Sequence, residues 1–209
     1  MTTAVTTAMT TAMTASTAIT AAILAGGRSR RMGTDKAALE LGGQTLLERT
    51  AQIALDADLP VLVAGRVRPK GWPLPSALFT EDFHPGLGPL GGLATALRQA
   101  QTGTLALSCD LPLLTTEALR WLLALAETGN THGLIVVNGE QWEPLFSLYQ
   151  PAVLPLIEAR LMEGRRSLHG LIEAGDFAFA NAPNWVAAQL RNVNTTDEWA
   201  QIKTTDTRN

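Results

Sequence analysis

Cysteine occurs once in the 209 residues, at Cys109. A lone thiol excludes an internal disulfide and any zinc site assembled from several cysteines, and it suits a reducing, cytoplasmic setting. The three histidines, His84, His132 and His169, are scattered and show no H-E-x-x-H spacing, which removes the usual helical zinc motif. No apolar run approaches the ~18 residues needed to span a bilayer, so no membrane segment is expected. Charge is sparse too, at 17% of residues with a net charge of −3, which excludes a general electrostatic attraction to nucleic acid or anionic lipid. Met1 to Ala18 contain neither lysine nor arginine and no continuous apolar core, so they lack both parts of a secretory signal. That Thr/Ala/Met-rich stretch, 1–18, is expected to be a disordered extension, and 205–209 a flexible tail.

What the chain does hold is apolar sequence, 46% of its residues, in short runs that are bounded by turn residues and alternate with helical patterns. The alternation predicts βαβ units and a mostly parallel sheet. Strands are predicted at 19–25, 61–64, 77–80, 104–108, 133–137 and 144–148, and helices at 45–57, 90–101, 116–127, 152–162, 168–174 and 196–203. Thr115 or Thr116 is the expected N-cap of the third helix, and Gly129-Asn130 its expected close. No internal repeat, charge block or proline-rich linker divides 19–204. One domain is therefore expected, a Rossmann-like three-layer α/β sandwich large enough to bury well over half of the unfolded chain's surface. Gly65 to Pro75, with Pro69, Pro73 and Pro75, reads as a long loop, either functional or a plain connection.

The richest stretch follows the first strand. Leu24-Ala25-Gly26-Gly27-Arg28-Ser29-Arg30-Arg31-Met32-Gly33-Thr34-Asp35-Lys36 joins an apolar run to a glycine-rich, cationic loop ending in lysine. Glycine lets backbone N–H groups approach phosphate oxygens closely, and ligands of open α/β sheets bind beyond the carboxyl ends of strands. A nucleoside triphosphate fits such a place, although a solvated surface turn has the same composition. The spacing excludes two familiar motifs. The glycines are not those of G-x-G-x-x-G, and five residues rather than four separate Gly27 from Gly33, with Thr34-Asp35 ahead of Lys36 where a P-loop has lysine at once.

Other chemistry-bearing residues also fall at predicted strand ends. Asp110 closes the run ending at Ser108, where a carboxylate could ligate magnesium together with substrate phosphates, or form an Asx-turn or cap ahead of Thr115. Cys109 beside it is expected to face the core. Glu81-Asp82 could meet a nucleotide's sugar or base, or be solvated surface. The glycines of Gly86 to Gly92 could bring a helix N-terminus near substrate, or serve tight packing. Asn192-Val193-Asn194 has the period of a short strand with both amides on one face, suited to a heterocycle rich in donors and acceptors, or else a turn before the last helix. His169 could lie near a substrate phosphate or simply start a helix.

Taken in order, the Leu24 to Gly33 motif with Asp35-Lys36 resembles the opening of nucleotidyltransferases that act on small cofactors and sugars. Glu81-Asp82, Gly88-Pro89-Leu90-Gly91-Gly92, Cys109-Asp110-Leu111-Pro112, Glu143-Pro144-Leu145-Phe146 and Asn192-Val193-Asn194-Thr195 narrow the resemblance, over about Ile19 to Trp199, to the molybdenum cofactor guanylyltransferases, the MobA group. The resemblance implies a nucleotidyltransferase-type fold and transfer of GMP from GTP to the terminal phosphate of Mo-molybdopterin. It implies Mg²⁺ as cofactor, and as partners the proteins that supply molybdopterin and the molybdoenzymes or chaperones that receive the product. By position it implies Leu24, Ala25, Gly26 and Gly27 at the GTP site, with the first three on guanine. It implies Lys36 on the phosphates, Asp82 on the nucleoside, Asp110 on magnesium, and Asn192 and Asn194 on the pterin side. Arg31 and Lys36 would stabilise departing pyrophosphate. Ala64 departs from the asparagine the family often has after the second strand, so a base contact there is expected to be lost or replaced. The alternatives are a cytidylyltransferase on the same pterin, a nucleotidyltransferase for another phosphorylated acceptor, or a non-catalytic nucleotide-binding module.

Overall fold

The computed structural model describes residues 19–26, 35–83, 85–128, 130–192 and Trp199. The expected extension and tail lie outside the described residues, as do Gly27, Arg31, Asn194 and most of the predicted last helix, of which Trp199 alone is described, buried and helical.

The first strand, β1 (Ile19–Leu24), is the centre of a five-stranded sheet. On one side it pairs in parallel with β4 (Val61–Ala64), which pairs in parallel with β5 (Leu78–Thr80). On the other it pairs in parallel with β6 (Gly103–Leu107), and β6 pairs antiparallel with β9 (Phe146–Tyr149). Beyond lies β7 (Gly133–Asn138), parallel to β10 (Phe177–Asn181) and antiparallel to the two-residue β8 (Gln141–Trp142). The β7–β9 seam uses a side chain. The N–H of Val136 donates to Ser147 Oγ (3.0 Å), and this buried hydroxyl donates to the carbonyl of Glu143 (2.7 Å).

The strand period of two sorts side chains into two core layers. Ala21, Ile23, Leu105 and Leu107 pack in the layer of α1 (Leu46–Asp56) and α3 (Thr116–Ala124), and Ala22 and Ala106 face the layer of α2 (Gly88–Ala100). That second layer also holds α4 (Leu154–Met162) and α5 (Leu168–Ala174). The expected three-layer sandwich with a mostly parallel sheet is what forms.

Most elements stand where the sequence placed them, with differences that have local causes. A two-residue hairpin of β2 (Glu40–Leu41) and β3 (Gln44–Thr45) precedes α1. Thr45 then caps α1 in a capping box, its Oγ1 accepting from Glu48 N (3.1 Å) while Glu48 Oε2 accepts from Thr45 N (2.8 Å). Helix α3 stops at Ala124, short of the expected 127, because its end tightens into a 3₁₀ turn at Ala126–Thr128. Its N-cap is Thr115, but that hydroxyl meets Gln189 Oε1 (2.9 Å) rather than a helix N–H. The predicted 152–162 helix begins as a 3₁₀ turn, Pro151–Val153, and becomes α-helical at Leu154, with Pro155 in its first turn. The α6 turn (Asn184–Ala187) and strands β8 and β10 are additions to the sequence reading. No helix among the described residues is long and apolar enough to cross a membrane.

Candidate active site

The carboxyl ends of β1, β4, β5 and β6 fall along one edge of the sheet, and a cleft of about 1130 Å³ opens there. Leu24 and Gly26 come from the end of β1, Gly65 and Arg66 from β4, Asp82 from β5 and Asp110 from β6. Gly26 and Gly65 are the floor. A Cβ on Gly26 would sit 3.2 Å from Gly65 Cα and 3.3 Å from Asp82 Oδ2, so the carboxylate lies directly over the paired strand ends. Ala25 is buried, and its N–H donates to the Ala64 carbonyl (3.0 Å). Ala64 is itself fully buried in a cluster with Ala22, Leu62 and Ala96. It faces α2 rather than the cleft, and at this strand end the lining passes to Gly65 and Arg66.

Asp82 is not the solvated acid that its local sequence allows. Its Oδ1 accepts from Thr95 Oγ1 (2.8 Å), and the same fully buried hydroxyl accepts from Phe83 N (3.1 Å), so α2 orients the carboxylate. Glu81 beside it is exposed. Gly86 and Gly88, at φ +78° and +71°, form the turn into α2, which has no side-chain N-cap bond. A Cβ on Gly92 would make only ordinary contacts with Leu24, so tight packing does not demand glycine there; the residue borders the cleft.

Lys36 reaches the far wall. Its Nζ lies 3.5 Å from Asp110 Oδ2, and both side chains are largely shielded, at 17% and 20% exposure. Lys36 stands at this point because Asp35 caps a short 3₁₀ helix, Lys36–Ala38, by accepting from Ala37 N (3.1 Å). The other oxygen of Asp35 pairs with Arg66 Nη2, which links the loop after β1 to the one after β4. Asp110 Oδ1 accepts a short hydrogen bond from Ser108 Oγ, and Arg49 of α1 donates to Pro112 O (3.1 Å), fastening the loop that carries the aspartate. The expected turn or cap role for Asp110 toward Thr115 is not what forms: Thr115 N bonds Gln189 Oε1 (3.0 Å). Cys109 packs in the core as expected, and burial, with the charge of Asp110 next, pushes its thiol up to about 12.

A second cleft, of about 910 Å³, meets the first at Ser108, Asp110 and Leu145. Asn192 lines it, exposed and outside any regular element, and Val193 and Asn194 lie outside the described residues. His169 lines it as well, within the first turn of α5 and stacked on Trp142. Glu143 completes the wall, accepting from Asn138 Nδ2 (3.1 Å). Burial raises its carboxyl above the ordinary value, the Asn138 bond opposes that, Asp110 adds to it and His169 offsets it.

The structure therefore brings Leu24, Gly26, Lys36, Asp82 and Asp110 to one cleft and Asn192 to the adjoining one, and Ala25 borders the first. Sequence reasoning missed Gly65, Arg66, Thr95, Ser108, Trp142 and Glu143 as site residues. Gly65-Arg66 was legible as a glycine at a strand end, and Thr95 carried no signal, being one hydroxyl inside an apolar helix. The loop from Gly65 divides in role. Its start lines the cleft, while Trp72 packs edge-on against Phe79 at 5.0 Å and closes the remainder onto the sheet.

Comparison with known proteins places the chain in a family and matches its fold. A family model described as the MobA-like NTP transferase domain matches residues 21–178. A probable molybdenum cofactor guanylyltransferase of Synechococcus elongatus is 36% identical over 188 residues, 87% of this chain and 96% of that protein. A molybdenum cofactor guanylyltransferase of Pseudomonas putida is 37% identical over 150 residues, 70% and 78% of the two chains. Among solved structures, the molybdopterin-guanine dinucleotide biosynthesis protein A of Archaeoglobus fulgidus shares the fold with a TM-score of 0.74 at 23% identity, covering 91% of this chain and all of that one.

Proposed function

The chain belongs to the MobA-like NTP transferase family, and we propose that it transfers GMP from GTP to the terminal phosphate of Mo-molybdopterin, forming Mo-molybdopterin guanine dinucleotide and pyrophosphate. The observation that carries this reading is the meeting of two clefts at Asp110. A reaction that joins two phosphorylated substrates needs two sites whose reacting ends converge on one point. GTP takes the first cleft, with Leu24, Ala25 and Gly26 on guanine, Asp82 on the nucleoside and Lys36 on the phosphates, and Gly27 belongs to the same GTP-binding set. Mo-molybdopterin takes the second, with Asn192 and Asn194 on the pterin.

The terminal phosphate oxygen of the acceptor attacks the α-phosphorus of GTP in line. A P–O bond forms as the bond to the bridging oxygen breaks, and pyrophosphate leaves with that electron pair. The attacking phosphate is already anionic at neutral pH, so no base must take a proton. What the protein supplies is alignment and neutralisation of charge. Lys36 gives up its loose 3.5 Å contact with Asp110 for the triphosphate and, with Arg31, stabilises the leaving pyrophosphate.

Magnesium typically takes one or two protein carboxylates and completes its shell with phosphate oxygens and water. Asp110 suits that requirement, because one oxygen is oriented by Ser108 and the other is engaged only at 3.5 Å. Among the described residues no group of three or more His, Cys, Asp or Glu side chains converges. Mg²⁺ held there would reduce repulsion between the two anionic substrates. The reading sets the reaction in the cytoplasm, between proteins that supply molybdopterin and molybdoenzymes or chaperones that receive the product.

The test is transfer from labelled GTP, CTP and ATP to Mo-molybdopterin with Mg²⁺, in the wild-type protein and in Asp110→Ala. GMP transfer that the variant loses while melting normally is the expected result. Transfer of CMP alone overturns the guanine assignment, and transfer from no nucleotide overturns the activity.

A further inference from the structure

We infer that Trp142 is a specificity-determining residue for the acceptor: stacked on His169, it forms an aromatic wall of the second cleft against which a planar heteroaromatic ring lies. The inference rests on the assignment of the acceptor to that cleft. Both side chains line the cleft beyond Asp110. Their ring centroids are 5.9 Å apart with the planes inclined by 23°, and Phe179 meets the indole at 5.8 Å and 36°.

The wall is held from several directions. Trp142 ends β8, paired with Val137 across a tight turn at Gly139-Glu140, and its half-buried ring rests on the core layer beneath α4 and α5. His169 belongs to the first turn of α5, which Ser167 caps by accepting from Gly170 N (3.2 Å). A ring anchored on both strand and helix loses little freedom when a ligand stacks on it. Around the same cleft stand Asn138, Glu143 and Asn192, whose donors and acceptors suit the edge of a heterocycle while the indole suits its face.

The experiment separates the two substrates. In Trp142→Ala the KM for Mo-molybdopterin is expected to rise about tenfold, the scale of a lost aromatic contact, with KM for GTP unmoved. Trp142→Phe should recover most of the loss, and His169→Ala should show a smaller rise of the same kind. A Trp142→Ala protein with unchanged acceptor KM overturns the inference, and so does one in which both KM values rise together. Titration with 6-hydroxymethylpterin in the absence of GTP gives a readout independent of transfer. Binding to wild type and Trp142→Phe that Trp142→Ala loses supports the wall, whereas no binding to the wild type, or binding indifferent to the substitution, removes it. Failure of wild-type transfer with the pterin still bound through Trp142 would instead strike at the proposed activity.

Discussion

Gly65 and Gly26 meet backbone to backbone at the ends of β4 and β1. A Cβ built on Gly65 would fall 2.7 Å from Gly26 Cα, and Gly65 holds φ +84°. The contact keeps the two strand ends close enough for Asp82 to stand over both. It is also where the cleft is most sensitive to added bulk.

Gly65→Ala is expected to lower stability by about 1–3 kcal/mol, from left-handed strain together with the forced separation of the strand ends. KM for GTP should rise as well. Thermal melting and GTP kinetics on the purified variant check both, and a variant that binds GTP normally would remove Gly65 from the site.

Thr95→Val keeps the shape of a fully buried side chain but deletes the hydroxyl shared by Asp82 and Phe83 N. The bond to Phe83 N is only partly buried, so its loss costs about 0.5–1.5 kcal/mol. The more telling effect is on Asp82, which loses its orienting donor, so KM for GTP should increase more than acceptor KM. Steady-state kinetics with each substrate varied in turn measures the difference.

Ser147→Ala removes the hydroxyl that bridges β7 and β9. Val136 N–H is left without its acceptor in a buried seam, and a loss of about 1–3 kcal/mol is expected. Hydrogen exchange at Val136 should quicken by more than at Leu105 in β6, whose ladder is untouched; equal protection at both amides would contradict the bridging role.

Burial holds the Cys109 thiol neutral to about pH 12, whereas an unfolded thiol ionises near pH 9. A raised pKa of this kind stabilises the fold fully below the unfolded value and is lost as pH climbs through the folded one. Stability should therefore fall between about pH 9 and 12. Buried Tyr149, also shifted upward by desolvation, acts in the same direction at the alkaline end. Denaturant titrations across that interval, compared with Cys109→Ala, isolate the thiol's share. At pH 8 the native thiol should resist alkylation.

Strands β1, β4 and β6 were legible because a strand buried on both faces reads as an unbroken apolar run between turn residues. Strand β10 escaped notice, since alanine alternating with phenylalanine in Phe177–Asn181 states its period weakly. The two-residue strands β2, β3 and β8 carry no period at all. Asp82 shows how far a local reading of the site extends. Adjacent acids in a loop resemble solvated surface, and only a threonine thirteen positions away in α2 turns one of them into an oriented carboxylate.

By itself the sequence determined the class of fold, the order of its principal elements and the residue types at each strand end, because these depend on local periodicity and on side chains adjacent in the chain. The tertiary structure alone decided that β1 lies between β4 and β6, which lines up four carboxyl ends along one edge. It also brought Lys36 to Asp110 across 74 positions, and Trp142 to His169 from separate elements. Such contacts arise from which faces bury against each other, a relation between distant segments that no local spacing records.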